Sequence, residues 1–282
     1  MGPLFSTALA IEIPWDPNIA TLGGLVLTWH GLFTALGVLA GMWVALRLAD
    51  RTGYDPDHVY SIALAAVPSG IIGARALFVA EHWDAYGQNP GEILALTEGG
   101  ISIWGAILGG FLGGTLYAWW RGFPVGPGLD IGAPTMLLGQ AVGRLGDLVN
   151  GEHLATATDL PWGVVYTHPD SPAFAHSIAV GAHHPATTYE LMGDLAIMGI
   201  LLALYFRSTW FRPRPGLLFL AYLASYASMR FFLTYLRVDS AEALSGLLRV
   251  PQLVSVVVVL AVVPLAIWVW RRAPAPGHGG HS

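Results

Sequence analysis

The 282-residue chain has no cysteine and no lysine; all 13 of its basic residues are arginine. Without cysteine there is no disulfide, no thiolate nucleophile and no cysteine-ligated metal. Without lysine no side-chain amine can form a Schiff base, which excludes a retinal-type linkage. Charge of either sign is scarce: 11% of residues are charged, against about a quarter in an ordinary soluble domain. The net charge of −5 has the wrong sign for a nucleic-acid partner. The N-terminal stretch has no basic n-region and is interrupted by Glu12, Pro14 and Asp16, so it reads poorly as a cleavable signal peptide.

What fills the chain is apolar. Hydrophobic residues make up 54% of it and the mean hydropathy is +0.57. This predicts an all-α polytopic membrane protein. A span needs about 20 mostly apolar residues. Seven stretches qualify: 24–48, 58–82, 101–120, 131–149, 187–206, 216–236 and 250–270. They form one transmembrane domain over 1–272, followed by a polar, flexible tail at 273–282. Arg47, at the inner end of the first span, and Arg51, Arg121, Arg207, Arg212, Arg214, Arg271 and Arg272 fall on one side; only Arg237 and Arg249 fall on the other. By the positive-inside rule the N-terminus is outside and the C-terminus in the cytoplasm. The longest connection, 150–186, is then an outer loop, expected to form a small extracytoplasmic cap with a short strand at 162–166. No internal repeat appears, which counts against an inverted-repeat transporter. Ser69 lacks a histidine partner pattern and there is no H-E-x-x-H, which counts against an intramembrane protease.

Three arginines, Arg75, Arg144 and Arg230, lie inside spans, where each costs about 2.5–3.5 kcal/mol on insertion scales. A guanidinium stays charged when buried and its fork matches phosphate oxygens, so the three are candidates to bind an anion. Arg144 and Asp147 share a helix face at i, i+3, and Tyr226 and Arg230 do so at i, i+4. Glu190 and Asp194 also share a face. These carboxylates either pair with the arginines as structural ions, orient them around a ligand, or accept a proton. The glycine-rich stretch 99–110, GGISIWGAILGG, permits close helix packing, or the approach of a lipid headgroup to bare backbone at Gly99 and Gly100. The outer histidines His153, His168, His176, His183 and His184 match no standard metal spacing; neither metal nor cofactor is expected.

Five segments, in order, resemble those of bacterial prolipoprotein diacylglyceryl transferases. GRLGDLVNGE (143–152) resembles the signature G-R-x-G-N-x-x-N-x-E. The stretch 99–110 resembles G-G-[MI]-S-F-H-G-G-L-I-G. HHPATTYE (183–190) resembles H-P-S-Q-L-Y-E. RPRPG (212–216) with YLASYASMRF (222–231) resembles R-P-x-G and Y-G-x-x-R-F, and TWHG (28–31) stands where R-W-Y-G is usual. The resemblance implies an inner-membrane enzyme. Its substrates would be phosphatidylglycerol and the lipobox of a preprolipoprotein signal peptide. Such an enzyme moves diacylglyceryl to the lipobox cysteine as a thioether and releases glycerol 1-phosphate.

The resemblance also implies roles. Arg144 and Arg230 would hold the phosphate, assisted by Tyr226, Asn150, Asp147, Arg75, Gly99, Gly100 and Trp104. The chain departs from the pattern at Asp147 for Asn, Ala155 for Gly, Trp104 for His, His30 for Tyr and Thr234 for a carboxylate. With Trp104 unable to titrate, His30 and Glu152 are the candidates to take the thiol proton. Two readings stand at this point: the transferase, and a non-catalytic or altered-specificity anionic-lipid-binding paralogue.

Overall fold

The structure, a computed structural model, describes residues 10–23, 25–94, 100–208, 210–243 and 246–272. In chain order it has strands β1 (Ile11–Ile13), β2 (Asn18–Leu22) and β3 (Leu25–Thr28), then helices α1 (Trp29–Thr52), α2 (Pro56–Glu81), α3 (Trp83–Tyr86), α4 (Ile103–Trp120) and α5 (Val125–Asn150). Strand β4 (Val164–Tyr166) and helices α6 (Phe174–Val180), α7 (Ala186–Arg207) and α8 (Leu217–Leu233) follow. The short pair β5 (Glu242–Ala243) and β6 (Leu248–Arg249) leads into α9 (Val250–Arg271). A 3-10 turn at Pro90–Leu94 lies between α3 and α4.

Helices α1, α2, α7 and α9 are long and apolar enough to cross a membrane. The other three predicted spans are helical too, but each falls short for a visible reason. Helix α4 has 18 residues, six of them glycine or threonine. Helix α5 carries Asp130, Arg144 and Asp147, and α8 has only 17 residues.

Two predicted boundaries need correction. The first span does not begin at residue 24. Residues 25–28 are a strand paired antiparallel with 18–22, because LVLT suits a strand and Gly23 turns the chain at φ 54°. The helix of the fourth predicted span, α5, begins at Val125, six residues before the predicted start. The all-α expectation is also incomplete by three two-stranded pieces. The strand expected at 162–166 is present as β4, and it pairs in parallel with β1, Ile11 opposite Val164 and Ile13 opposite Tyr166.

The chain forms two compact units, one from residues 1–43 with 132–282 and one from 44–131. In the second unit α2 and α4 meet backbone to backbone. A β-carbon added to Gly73 would stand 2.9 Å from the Gly109 Cα, and one added to Gly109 3.0 Å from the Gly73 Cα. The glycine stretch is thus a packing face here. Helix α2 starts at Asp55, whose Oδ1 accepts the Asp57 amide at 2.9 Å, with Pro56 as its first residue.

In the first unit the same device positions the site. A β-carbon on Gly139 would lie 3.3 Å from the Gly37 carbonyl oxygen, and one on Gly146 would lie 2.8 Å from the His30 Cα. Helices α1 and α5 therefore touch at His30. The segments around β1 and β4 have their own small core of Ile13, Val164, Tyr166 and Ala173, against which Leu148 and Leu154 pack. The Tyr166 hydroxyl donates to the Leu148 carbonyl at 2.7 Å and ties this core to the end of α5. The loop after α5 also meets the segment after α8: the Thr156 amide donates to the Leu236 carbonyl at 2.8 Å, and Ala155 bridges to Arg237.

Candidate functional site

The last two turns of α5 present Arg144 and Asp147 on one face, as their i, i+3 spacing requires. They form a salt bridge, Arg144 Nη1 to Asp147 Oδ2, at 2.5 Å. The other oxygen of Asp147 meets His30 Nδ1 at 2.6 Å. Asp147 is buried, whereas the His30 side chain is 50% exposed. Close contact at Gly146 sets this pairing, since any larger residue there would push α1 away from α5.

Helix α7 supplies the counter-charge. Glu190, 2% exposed, lies between Arg144 and Arg230. Its Oε2 receives Arg144 Nε at 2.7 Å and its Oε1 is ion-paired with Arg230 Nη1. Arg237 Nη1 stands 3.8 Å from the same Oε1. Arg237 in turn binds Asp239 through Nε at 2.9 Å and Nη2 at 2.7 Å. His153 joins the two halves: its Nε2 is 3.0 Å from Arg144 Nη1, and its Nδ1 is 2.8 Å from Arg237 Nη2 and 3.3 Å from Asp239 Oδ2. Burial alone would raise the Asp239 carboxyl, but the bonds from His153 and Arg237 outweigh it and hold Asp239 below the usual carboxylate range.

Arg144, Arg230 and Arg237 thus face Asp147, Glu190 and Asp239 in one connected network. Among the described residues, Nε and the second Nη of Arg230 have no protein partner. Tyr226 lies against Arg144, as the one-turn spacing from Arg230 along α8 allows. A charge-balanced frame that keeps guanidinium donors in reserve can receive an anion without first losing its fold. Asp194, one turn after Glu190 and 1% exposed, has no hydrogen-bond partner on either oxygen among the described residues. Asn150 is buried, donates through Nδ2 to Glu152 Oε1 at 2.9 Å, and accepts Ser171 Oγ on its carbonyl at 2.7 Å.

The remaining predicted residues fall in the second unit. Arg75, 7% exposed, spends its guanidinium on backbone carbonyls: Nε on Ile93 at 2.8 Å, Nη1 on Gly100 at 2.8 Å and Nη2 on Glu92 at 2.6 Å. It also sits over the Tyr86 ring at 5.1 Å. Gly100 has φ 77°, and a β-carbon there would stand 2.8 Å from Arg75 Nη1, so its open face is already filled. Trp104 is 40% exposed on α4. Gly99 lies outside the described residues.

Sequence reasoning brought Arg144, Arg230, Asp147, His30 and Tyr226 to this site and noted Glu190 as a pairing carboxylate. It missed His153, Arg237 and Asp239 as members. Arg237 was read only as one of the outer arginines, and His153 only as one of several loop histidines. Arg237 lies beyond the end of α8 at Leu233, so no helical spacing relates it to Arg230. In the cap, His183 is buried with Nε2 3.3 Å from Ser177 Oγ; burial, reinforced by nearby His176, lowers it to about 4. Asp16, His168 and Asp170 bring ligand atoms within 4.8 Å of one another at the surface; nothing beyond that spacing marks them as a metal centre.

Comparisons with known proteins cover nearly the whole chain. The family model for prolipoprotein diacylglyceryl transferase matches residues 17–268. A protein from Trichormus variabilis is 35% identical over 267 residues, covering 92% of each chain. One from Synechococcus elongatus is 36% identical over 268 residues, covering 94% of this chain and 91% of its own. One from Bacillus velezensis is 34% identical over 259 residues, covering 92% and 93%. All three bear the name phosphatidylglycerol–prolipoprotein diacylglyceryl transferase.

Proposed function

The chain belongs to the prolipoprotein diacylglyceryl transferase family, and on that basis we propose that it transfers diacylglyceryl from phosphatidylglycerol to the lipobox cysteine of a prolipoprotein. The thiol sulfur attacks the glyceryl carbon bonded to the phosphate oxygen. That C–O bond breaks as the thioether forms, and glycerol 1-phosphate leaves. The chain itself carries no cysteine, so the nucleophilic sulfur comes wholly from the acceptor.

The carrying observation is that Arg144 and Arg230 meet at one buried carboxylate, Glu190, while Arg230 keeps donors uncommitted. Preorganised donors in a water-poor site stabilise the charge that gathers on a leaving phosphate. Arg144, Arg230 and Tyr226 hold that phosphate in this reading, with Asn150 and Asp147 bordering it. Two groups nearby can take the thiol proton, His30 and Glu152.

The membrane arrangement is part of the proposal. Seven spans in a bacterial inner membrane place the N-terminus and the 150–186 cap outside and the arginine-rich connections inside. Asp159, exposed in that cap, offers a test in this cysteine-free chain. Asp159→Cys reacts with a membrane-impermeant thiol reagent in intact cells; reaction only after lysis reverses the orientation. The activity itself is tested by incubating the purified chain with phosphatidylglycerol and a lipobox peptide. Thioether peptide and glycerol 1-phosphate in equal amounts are expected. Retained lipid without product would make the chain a lipid-binding relative that has lost the chemistry.

A further inference from the structure

We infer that Asp147 is the positioning residue that makes His30 the proton acceptor for the acceptor thiol, the two acting as one unit. This rests on the transferase reading above and adds a role that reading leaves open. The 2.6 Å contact uses His30 Nδ1, so Nε2 is the ring nitrogen left to receive a proton. The half-exposed ring lets a substrate reach it, while the carboxylate behind it is buried. Asp147 cannot swing away: Arg144 Nη1 holds its second oxygen at 2.5 Å, and His153 Nε2 stands 3.5 Å from that oxygen. The backbone holds as well, because Gly146 packs on the His30 Cα.

A carboxylate on Nδ1–H fixes the imidazole tautomer with Nε2 as the base and stabilises the imidazolium that forms. The charged groups that face His30 are Asp147 and Glu152, which favour that cation, and Arg144, which opposes it. Glu152 is the weaker candidate base, since its Oε1 already accepts the Asn150 amide. Positions 30 and 147 are also two places where the chain departs from the family pattern, and the departures meet in a single bond.

The step balances. The thiol S–H breaks and its proton goes to His30 Nε2. The sulfur pair forms the C–S bond, and the C–O pair stays on the phosphate. The proton on His30 then passes to the released monoester.

The test uses the full chain in phosphatidylglycerol-containing nanodiscs with a lipobox peptide. His30→Gln and Asp147→Asn each lower kcat by about 10²–10⁴ with little change in the KM for lipid. The double variant is no slower than the worse single one, because members of one unit do not add. Both variants depend on thiolate that the substrate brings, so their rates climb about tenfold per pH unit up to the thiol value near 8.5. The unaltered chain climbs only until His30 itself has lost its proton and then levels off below the thiol value. Added imidazole restores His30→Gly, a variant that leaves the buried Asp147 untouched. A normal rate for Asp147→Asn, losses that multiply in the double variant, or no imidazole rescue would each overturn the inference. If the unaltered chain makes no thioether, the transferase reading itself falls and the pairing falls with it.

Discussion

Two buried arginine sites in this chain, one in each compact unit, look alike in sequence and differ in what their nitrogens touch. Arg75 on α2 is 7% exposed and gives all three of its guanidinium nitrogens to backbone carbonyls. These bonds make the cation a clasp between α2 and the chain that leads into α4. Arg144 and Arg230 face carboxylates instead, share Glu190, and sit beside two histidines. The cost of burying an arginine is the same argument for all three. Function depends on what remains after that cost is met. Arg75 is committed to the local backbone through three bonds, whereas guanidiniums balanced by carboxylates with donors to spare can exchange partners.

The largest effect follows from removing the shared carboxylate. Glu190→Gln leaves Arg144 and Arg230 facing each other without their common counter-charge. Breaking a buried pair this way costs about 3–5 kcal/mol. Thermal unfolding in detergent should show a loss of that order. A change under about 1 kcal/mol would mean that Glu190 does not hold the frame together.

Next come the two members of the frame themselves. Lysine keeps the charge and loses the planar fork. Arg144→Lys and Arg230→Lys should each reduce transfer by about 10²–10³, measured as thioether formed per folded molecule. Arg75→Lys sharpens the contrast. It gives up carbonyl bonds that one ammonium cannot replace, at about 2–3 kcal/mol of stability, yet should lose less than tenfold in rate per folded molecule. Equal rate losses at all three arginines would erase the distinction between clasp and site.

Much of this was readable in the sequence because it is local. The spacing of Arg144 and Asp147 put them on one helix face, and the structure joins them at 2.5 Å. Glu190 was legible as a counter-charge because a carboxylate in an apolar span demands one. The glycine stretch left two meanings open, and the contact between Gly73 and Gly109 shows the packing one at Gly109. What was not legible is non-local. His153 and Asp239 are 86 positions apart, and no helical period relates two loops. Strand β1 lies far from β4 in sequence, and three-residue strands leave almost no periodic trace. The surroundings of Arg75 were not legible for a different reason: three of its bonds go to backbone carbonyls, which every residue has, so no sequence pattern announces them.

The smallest effect separates the cap from the arginine site by its response to acid. His183 is 1% exposed, and its backbone pairs with Val164 through both its amide and its carbonyl. Its ring stacks on Tyr166 at 5.8 Å, with His176 at 5.1 Å. Nδ1 is buried with no partner among the described residues, so an added proton would be poorly received. Burial, aided by His176, lowers His183 to about 4, while an unfolded histidine titrates near 6.5. Between those values the unfolded chain binds more protons than the folded one, so stability falls as pH falls. The full contribution is present above about pH 6.5, declines as pH drops toward 4, and levels off below. At pH 5 the loss should be about 1–2 kcal/mol. Amide exchange at residues 164–166 reports it directly, as protection that falls, after correction for intrinsic exchange, between pH 7 and pH 5. His183→Gln, which cannot titrate, should flatten that dependence. If the dependence persists in His183→Gln, another group governs the acid response, and His183 is only a packing residue in the cap.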